Sequence, residues 1–216
     1  MSLTLAFEIS MILTSGCAVL LAGWLLLQGQ RQRAMPALAG FAAMMALWCA
    51  GHIAIVQQQH SVGVALVLAN PLMPMFFLHF ALQFVSSTAE VLPRWRRLLP
   101  ALYGISLLVI VLSWFGAGGA VTATAGFDAF FIFAGIGWLN LFYTILLGVA
   151  AHAVLWHGWR IHSGNKRRSI VAMFLAGGWG LLLATSFVFP SLGLNWYPYP
   201  MLLLPSYLLF LVYGVV

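Results

Sequence analysis

Charge is nearly missing from this chain. Of its 216 residues, three are acidic and nine are Lys or Arg. The acids, Glu8, Glu90 and Asp128, are scattered, so paired-carboxylate chemistry has no pair to use. Lys166 is the single lysine and lies in a basic connecting segment, which excludes a retinal Schiff base buried in a membrane. The two cysteines, Cys17 and Cys49, sit in apolar runs and read as packing residues rather than a disulfide or metal pair. There is no G-x-S-x-G elbow, and Gly177–Gly180 falls inside an apolar run, not in a phosphate-cradling loop. His152, His157 and His162 recur every fifth residue, which puts them on different helix faces. No metal site and no cofactor is expected. A basic leader is also missing, so the first apolar run reads as an uncleaved span.

What the chain does have is apolar length. Hydrophobic residues make up 63% and charged residues 6%, with mean hydropathy +1.04. A soluble domain is roughly half apolar and about a quarter charged. The expected fold is therefore an all-α polytopic membrane protein, a seven-transmembrane-helix bundle forming one domain over 1–216. The spans are expected at about 3–27, 37–56, 62–85, 98–115, 130–156, 170–189 and 197–216. Each approaches or exceeds the ~20 residues that a bilayer demands.

The charges sort by connection. Arg31 and Arg33 follow the first span, Arg94, Arg96 and Arg97 the third, and Arg160, Lys166, Arg167 and Arg168 the fifth. The second, fourth and sixth connections hold no Lys or Arg. Basic connections stay in the cytoplasm. The expected topology has the N-terminus outside and the C-terminus inside. The net charge of +6 is then explained by topology and anionic lipid, without nucleic acid.

The third span organises the rest. Asn70–Phe84 carries two prolines, an asparagine, a histidine and a glutamine, types that are costly in lipid and turn toward protein or a cavity. Pro71 and Pro74 free backbone carbonyls and can kink the helix. His79 and Gln83 lie one turn apart below them, either as a plain interfacial hydrogen-bonded pair or as part of a two-state element. Asn140, Thr144, Gly148 and His152 fall four apart along the fifth span, as interhelical hydrogen bonding or as a polar track facing a cavity. Small-residue stripes (Ala39, Ala43, Ala46, Ala50; Ala176, Gly180, Ala184) suit close helix packing. In the outer half, Glu8, Trp48, His52, Asn70, Trp138, Asn140, Trp196 and Tyr197 are candidates to line a pocket for a small hydrophobic or amphipathic ligand, although aromatics at that depth also form interfacial belts.

Two segments resemble a known family. Pro74-Met75-Phe76-Phe77-Leu78-His79-Phe80 looks like the third-helix segment of bacterial seven-helix sensor modules, the N-terminal membrane regions that precede histidine kinase, diguanylate cyclase, PAS or GAF domains. Trp196-Tyr197-Pro198, Leu202-Leu203-Leu204-Pro205, Tyr207 and Tyr213-Gly214-Val215-Val216 are similar to its last helix. The resemblance implies a sensor of the bacterial cytoplasmic membrane, a homodimer, and relay through Pro71, Pro74, His79, Gln83 and Pro205 to a cytoplasmic output domain. These residues contain no phosphoacceptor histidine box or ATP-binding glycine motif, so any kinase or cyclase activity is expected outside them. A non-catalytic subunit of a larger membrane complex is the other reading, with a partner membrane protein in place of the output domain, and a small transporter a third. Alkaline phosphatase fused within 57–61 should be active, and fused within 163–168 inactive. The reverse pattern would invert the topology.

Overall fold

The structure, a computed structural model, describes residues 3–28, 33–86 and 93–215. Arg31, Glu90 and Val216 lie outside the described residues. Helix α1 (Leu3–Gln28) is followed by α2 (Met35–Val56), α3 (His60–Leu68), α4 (Leu72–Ser86) and α5 (Pro93–Phe115). A hairpin of β1 (Gly119–Thr124) and β2 (Phe127–Phe133) leads to α6 (Gly137–Ile161) and α7 (Gly164–Thr185). Short α8 (Val188–Ser191), a 3-10 turn (Tyr199–Leu203) and α9 (Leu204–Val215) complete the order. Among the described residues, six stretches are long and apolar enough to cross a membrane: α1, α2, α3 with α4, α5 from Arg97, α6 and α7. Tyr199–Gly214 is a seventh apolar stretch, but shorter.

Six of these helices close a ring. α1 packs on α2, α2 on α4, α4 on α6, α6 on α7, α7 on α9, and α9 back on α1. α5 stands outside it, against α3, α4 and α6. Most of the helices are apolar all round, so packing, not polarity, selects the buried face. On α1 the buried line is Phe7, Met11, Thr14, Ala18, Leu21 and Leu25, alternating steps of four and three. Leu20 and Leu27, off that line, face outward.

Glycine sets the closest crossings. A Cβ on Gly63 would lie 2.6 Å from the Gly51 carbonyl oxygen and 2.5 Å from Ile55 Cγ1, so α2 and α3 meet backbone to backbone. On the α7 stripe, Gly180 lies under the Tyr207 ring, where a Cβ would approach to 2.8 Å.

Four expectations change. The third span is two helices, broken at 69–71, because Pro71 cannot donate to the helix ladder and biases Asn70 away from helical dihedrals. The last span starts as a 3-10 turn and becomes α-helical only at Leu204. The Gly/Ala/Thr-rich segment and the start of the expected fifth span form an antiparallel hairpin, with Val121 opposite Phe131 and Thr122 opposite Phe130. Its two-residue turn, Ala125–Gly126, has φ of 54° and 83°, the positive values that match strand twist. Alanine is strained there, and its N–H is held by Asn195 Oδ1. α6 and α7 also extend beyond the expected spans, bringing Arg160 and Lys166–Arg168 into helix. Lys166 Nζ lies 3.7 Å from the centre of the Phe84 ring. Gly63→Ala should destabilise the bundle by roughly 1–3 kcal/mol through overpacking, read as thermal unfolding in detergent. Unchanged stability would mean that α3 shifts freely.

Candidate functional site

The helix break creates the first requirement of the site. A continuous helix would satisfy the Leu68 carbonyl with the Leu72 N–H, but that N–H donates to Ala69 O. The orphaned carbonyl accepts instead from Asn140 Nδ2 of α6, at 2.8 Å. The same amide reaches Ser113 Oγ of α5 at 3.2 Å, and that hydroxyl donates to Val109 O. Asn140 is fully buried. It fastens the broken span to α5 and α6 and does not border the main cavity.

That cavity, about 180 Å³, lies inside the ring. α2 contributes Phe41, Met45, Trp48 and His52, and the broken span Asn70, Met73, Pro74 and Phe77. α6 contributes Thr144, Gly148 and His152, and α7 Gly177, Gly180 and Ala184. Tyr207 of α9 closes one side, and Phe131 and Phe133 of the hairpin cover one end.

His52 is packed among aromatic rings. Its ring centre lies 4.4 Å from Phe187 and 4.5 Å from Trp48, with Phe7, Phe130 and Phe131 within 6.3 Å. It is 2% exposed, and among the described residues its Nε2 has no hydrogen-bond partner. His152 is oriented by its own helix: Nδ1 is 2.8 Å from Gly148 O. A carbonyl only accepts, so Nδ1 carries a proton, and in the neutral ring Nε2 is an acceptor. That Nε2 is buried without a partner, as is Thr144 Oγ1. Gly177 makes room for the imidazole, since a Cβ there would lie 2.7 Å from His152 Nε2. The three residues that carry these atoms all line one largely apolar cavity, and buried polar groups ordinarily find partners.

Of the candidate ligand contacts named in the sequence, Trp48, His52 and Asn70 come together here. Glu8 is half-buried on α1 and does not border the cavity. Trp138 sits at the start of α6 near Phe133, 40% exposed. Trp196 and Tyr197 border a separate shallow depression with Asn195 and Tyr199 against the hairpin turn. Tyr197 stacks on Phe127, 5.2 Å between centres, and its hydroxyl donates to Leu3 O. Burial, and then Tyr199, raise the Tyr197 pKa above the ordinary phenol value, which keeps it a neutral donor. Pro71 is buried at the break, and Pro205 is half-buried at the start of α9. His79 faces α5, not the cavity. Gln83 Nε2 lies 2.7 Å from His79 Nε2, so Nδ1 is the donor toward Tyr103 Oη at 3.1 Å. Phe131, Phe133, Gly177 and Tyr207 were not singled out as cavity residues. Phe131 and Phe133 read as part of an apolar run, Gly177 as a glycine within another, and Tyr207 as part of the last-helix resemblance, with nothing to say what they would face.

The arrangement defines a class: a polytopic helical membrane protein with an internal cavity at a broken span. The sequence pattern of the N-terminal 7TM region of histidine kinases matches residues 10–215, and the chain belongs to that family. Its region is the membrane sensor part of such proteins, distinct from their catalytic domain. None of the curated proteins searched matches the chain. Asn140→Leu, which leaves Leu68 O unpaired, should cost roughly 0.6–2 kcal/mol in detergent unfolding. An unchanged stability would remove Asn140 as the fastening of the break.

Proposed function

We propose that this module binds a small lipophilic ligand in the ring cavity and passes the change to a cytoplasmic output domain of histidine kinase type. One observation carries the reading: the cavity wall includes Asn70, in the helix break, and Met73 and Pro74, in the first turn of α4 just after it. An occupant therefore presses on the one place where the third span lacks a continuous hydrogen-bond ladder. A break of this kind has two packings of similar energy more readily than an intact helix does. The ligand must favour one of them, and about 1.4 kcal/mol of difference gives a tenfold response.

In this reading α4 and α9 carry the displacement inward. The His79–Gln83 pair couples α4 to α5 through Tyr103, and Pro205 marks the point where α9 becomes regular. Seven crossings place the N-terminus outside and the basic connections inside, in the cytoplasmic membrane of a bacterium. The functional unit is a homodimer, and the chain itself is non-catalytic. Glu8, Trp138, Trp196 and Tyr197 then serve the outer surface and hairpin, leaving Trp48, His52 and Asn70 as ligand contacts.

The test joins this chain to the cytoplasmic part of a histidine kinase. Ala184→Trp, which fills the cavity from α7, should change autophosphorylation at least about twofold, an amount of coupling well within the usual range. Leu182→Trp, on the outward face, should leave it unchanged. Equal activity of the cavity-filled and unmodified proteins would remove the cavity as the input site.

A further inference from the structure

We infer that the cavity takes a neutral, membrane-soluble hydroxy compound, a phenol or lipophilic alcohol, which enters sideways between α6 and α7 and donates its O–H to His152 Nε2. This rests on the cavity being the sensor's ligand site and adds the chemistry of the ligand.

Charge comes first. Among the described residues, no Lys, Arg, Asp or Glu borders the cavity. An ionised ligand would be stripped of water with no counter-ion, a cost that neutral molecules avoid. Hydrogen bonding comes next. His152 Nε2 is locked as an acceptor in the neutral ring because Nδ1–H is committed to Gly148 O. It therefore selects a donor, and an aldehyde, ketone or ether has none to offer. Thr144 on the same helix and His52 on α2 also line the cavity, and their Oγ1 and Nε2, without partners among the described residues, would meet a second oxygen function.

Water satisfies this wall poorly. Thr144 precedes His152 by two helical turns, about 12 Å along the axis. Phe77, Phe41, Met45 and Leu141 supply much of the surface nearby. A buried water needs 2–4 polar partners close together. An organic molecule covers the apolar wall and places its oxygen where the acceptor is.

Entry and size follow from the lining. Ile145 of α6 and Leu181 and Thr185 of α7 border the cavity and are also exposed on the helix surface, so its mouth opens between those two helices. In a bilayer that mouth faces acyl chains. An apolar cavity of about 150 Å³ holds one benzene ring, so 180 Å³ accommodates a ring with its hydroxyl while an alkyl tail leaves through the mouth.

The experiment compares 4-butylphenol with 4-butylanisole, its methyl ether, by titration calorimetry on the chain in lipid nanodiscs, with empty nanodiscs subtracted. The phenol should bind saturably and about tenfold more tightly than the ether, the effect of one buried acceptor left unpaired. His152→Phe keeps a ring beside Phe77 and Phe174 and should erase that difference. Leu146→Ala, on the outward face of α6 and away from the cavity, should leave the preference for the phenol in place, which separates loss of the acceptor from general disturbance of that helix. Leu181→Trp at the mouth, outside the core, should weaken both probes. Equal binding of phenol and ether would overturn the hydroxy-compound assignment and leave the sensor cavity standing. No saturable binding of either probe to folded protein would overturn both.

Discussion

A broken helix inside a bilayer must find partners for the carbonyls it releases, because lipid offers none. The third span meets that constraint with one side chain. Leu68 O loses its ladder donor at the Asn70–Pro71 step and receives the Asn140 amide instead. Asn140 also draws in Ser113, so the break, α5 and α6 are joined at one level. The cavity depends on this arrangement. With the third span continuous, Asn70, Met73 and Pro74 would not form the present wall. The imidazole of His152 is set by a comparable device on α6, one hydrogen bond to its own helix and a glycine opposite it.

The six-helix ring explains why a cavity exists at all. Two or three helices packed directly on one another fill the space between them, whereas a ring of six leaves a centre. Here much of that centre is closed by aromatic rings: Phe77 and Phe41 from the helices, Phe131 and Phe133 from the hairpin. Two unpartnered histidine nitrogens and a threonine hydroxyl remain. Buried polar groups without partners are uncommon in folded proteins, and three along one cavity point to an occupant more strongly than the volume does.

Much of the architecture was legible in the chain. Apolar length located the six stretches long enough to cross a membrane, and Pro71 and Pro74 marked the neighbourhood of the break. The Asn140-to-His152 spacing was open to two readings, and both apply: Asn140 makes interhelical bonds, while Thr144, Gly148 and His152 face the cavity. Other features were hidden for physical reasons. A membrane helix such as α1 is apolar on every side, so no periodicity tells which face meets protein. The hairpin was missed because Phe130 and Phe131 read as the start of a long apolar run, and its turn relies on an alanine where glycine or asparagine is usual. The cavity role of Tyr207 and Gly177 depends on which helices are neighbours around the ring, and spacing within one helix does not carry that information.

The hairpin has a mechanical consequence. Three ties bind it to the segment that leads into the last helix: Ala125 N–H to Asn195, Phe133 N–H to Ser191, and the Phe127 ring flat on Tyr197. Hairpin and segment are therefore held as one unit at the end of the bundle where α9 begins. Because Phe131 and Phe133 of that unit also line the cavity, the hairpin joins the cavity end to the approach of the last helix by fixed contacts.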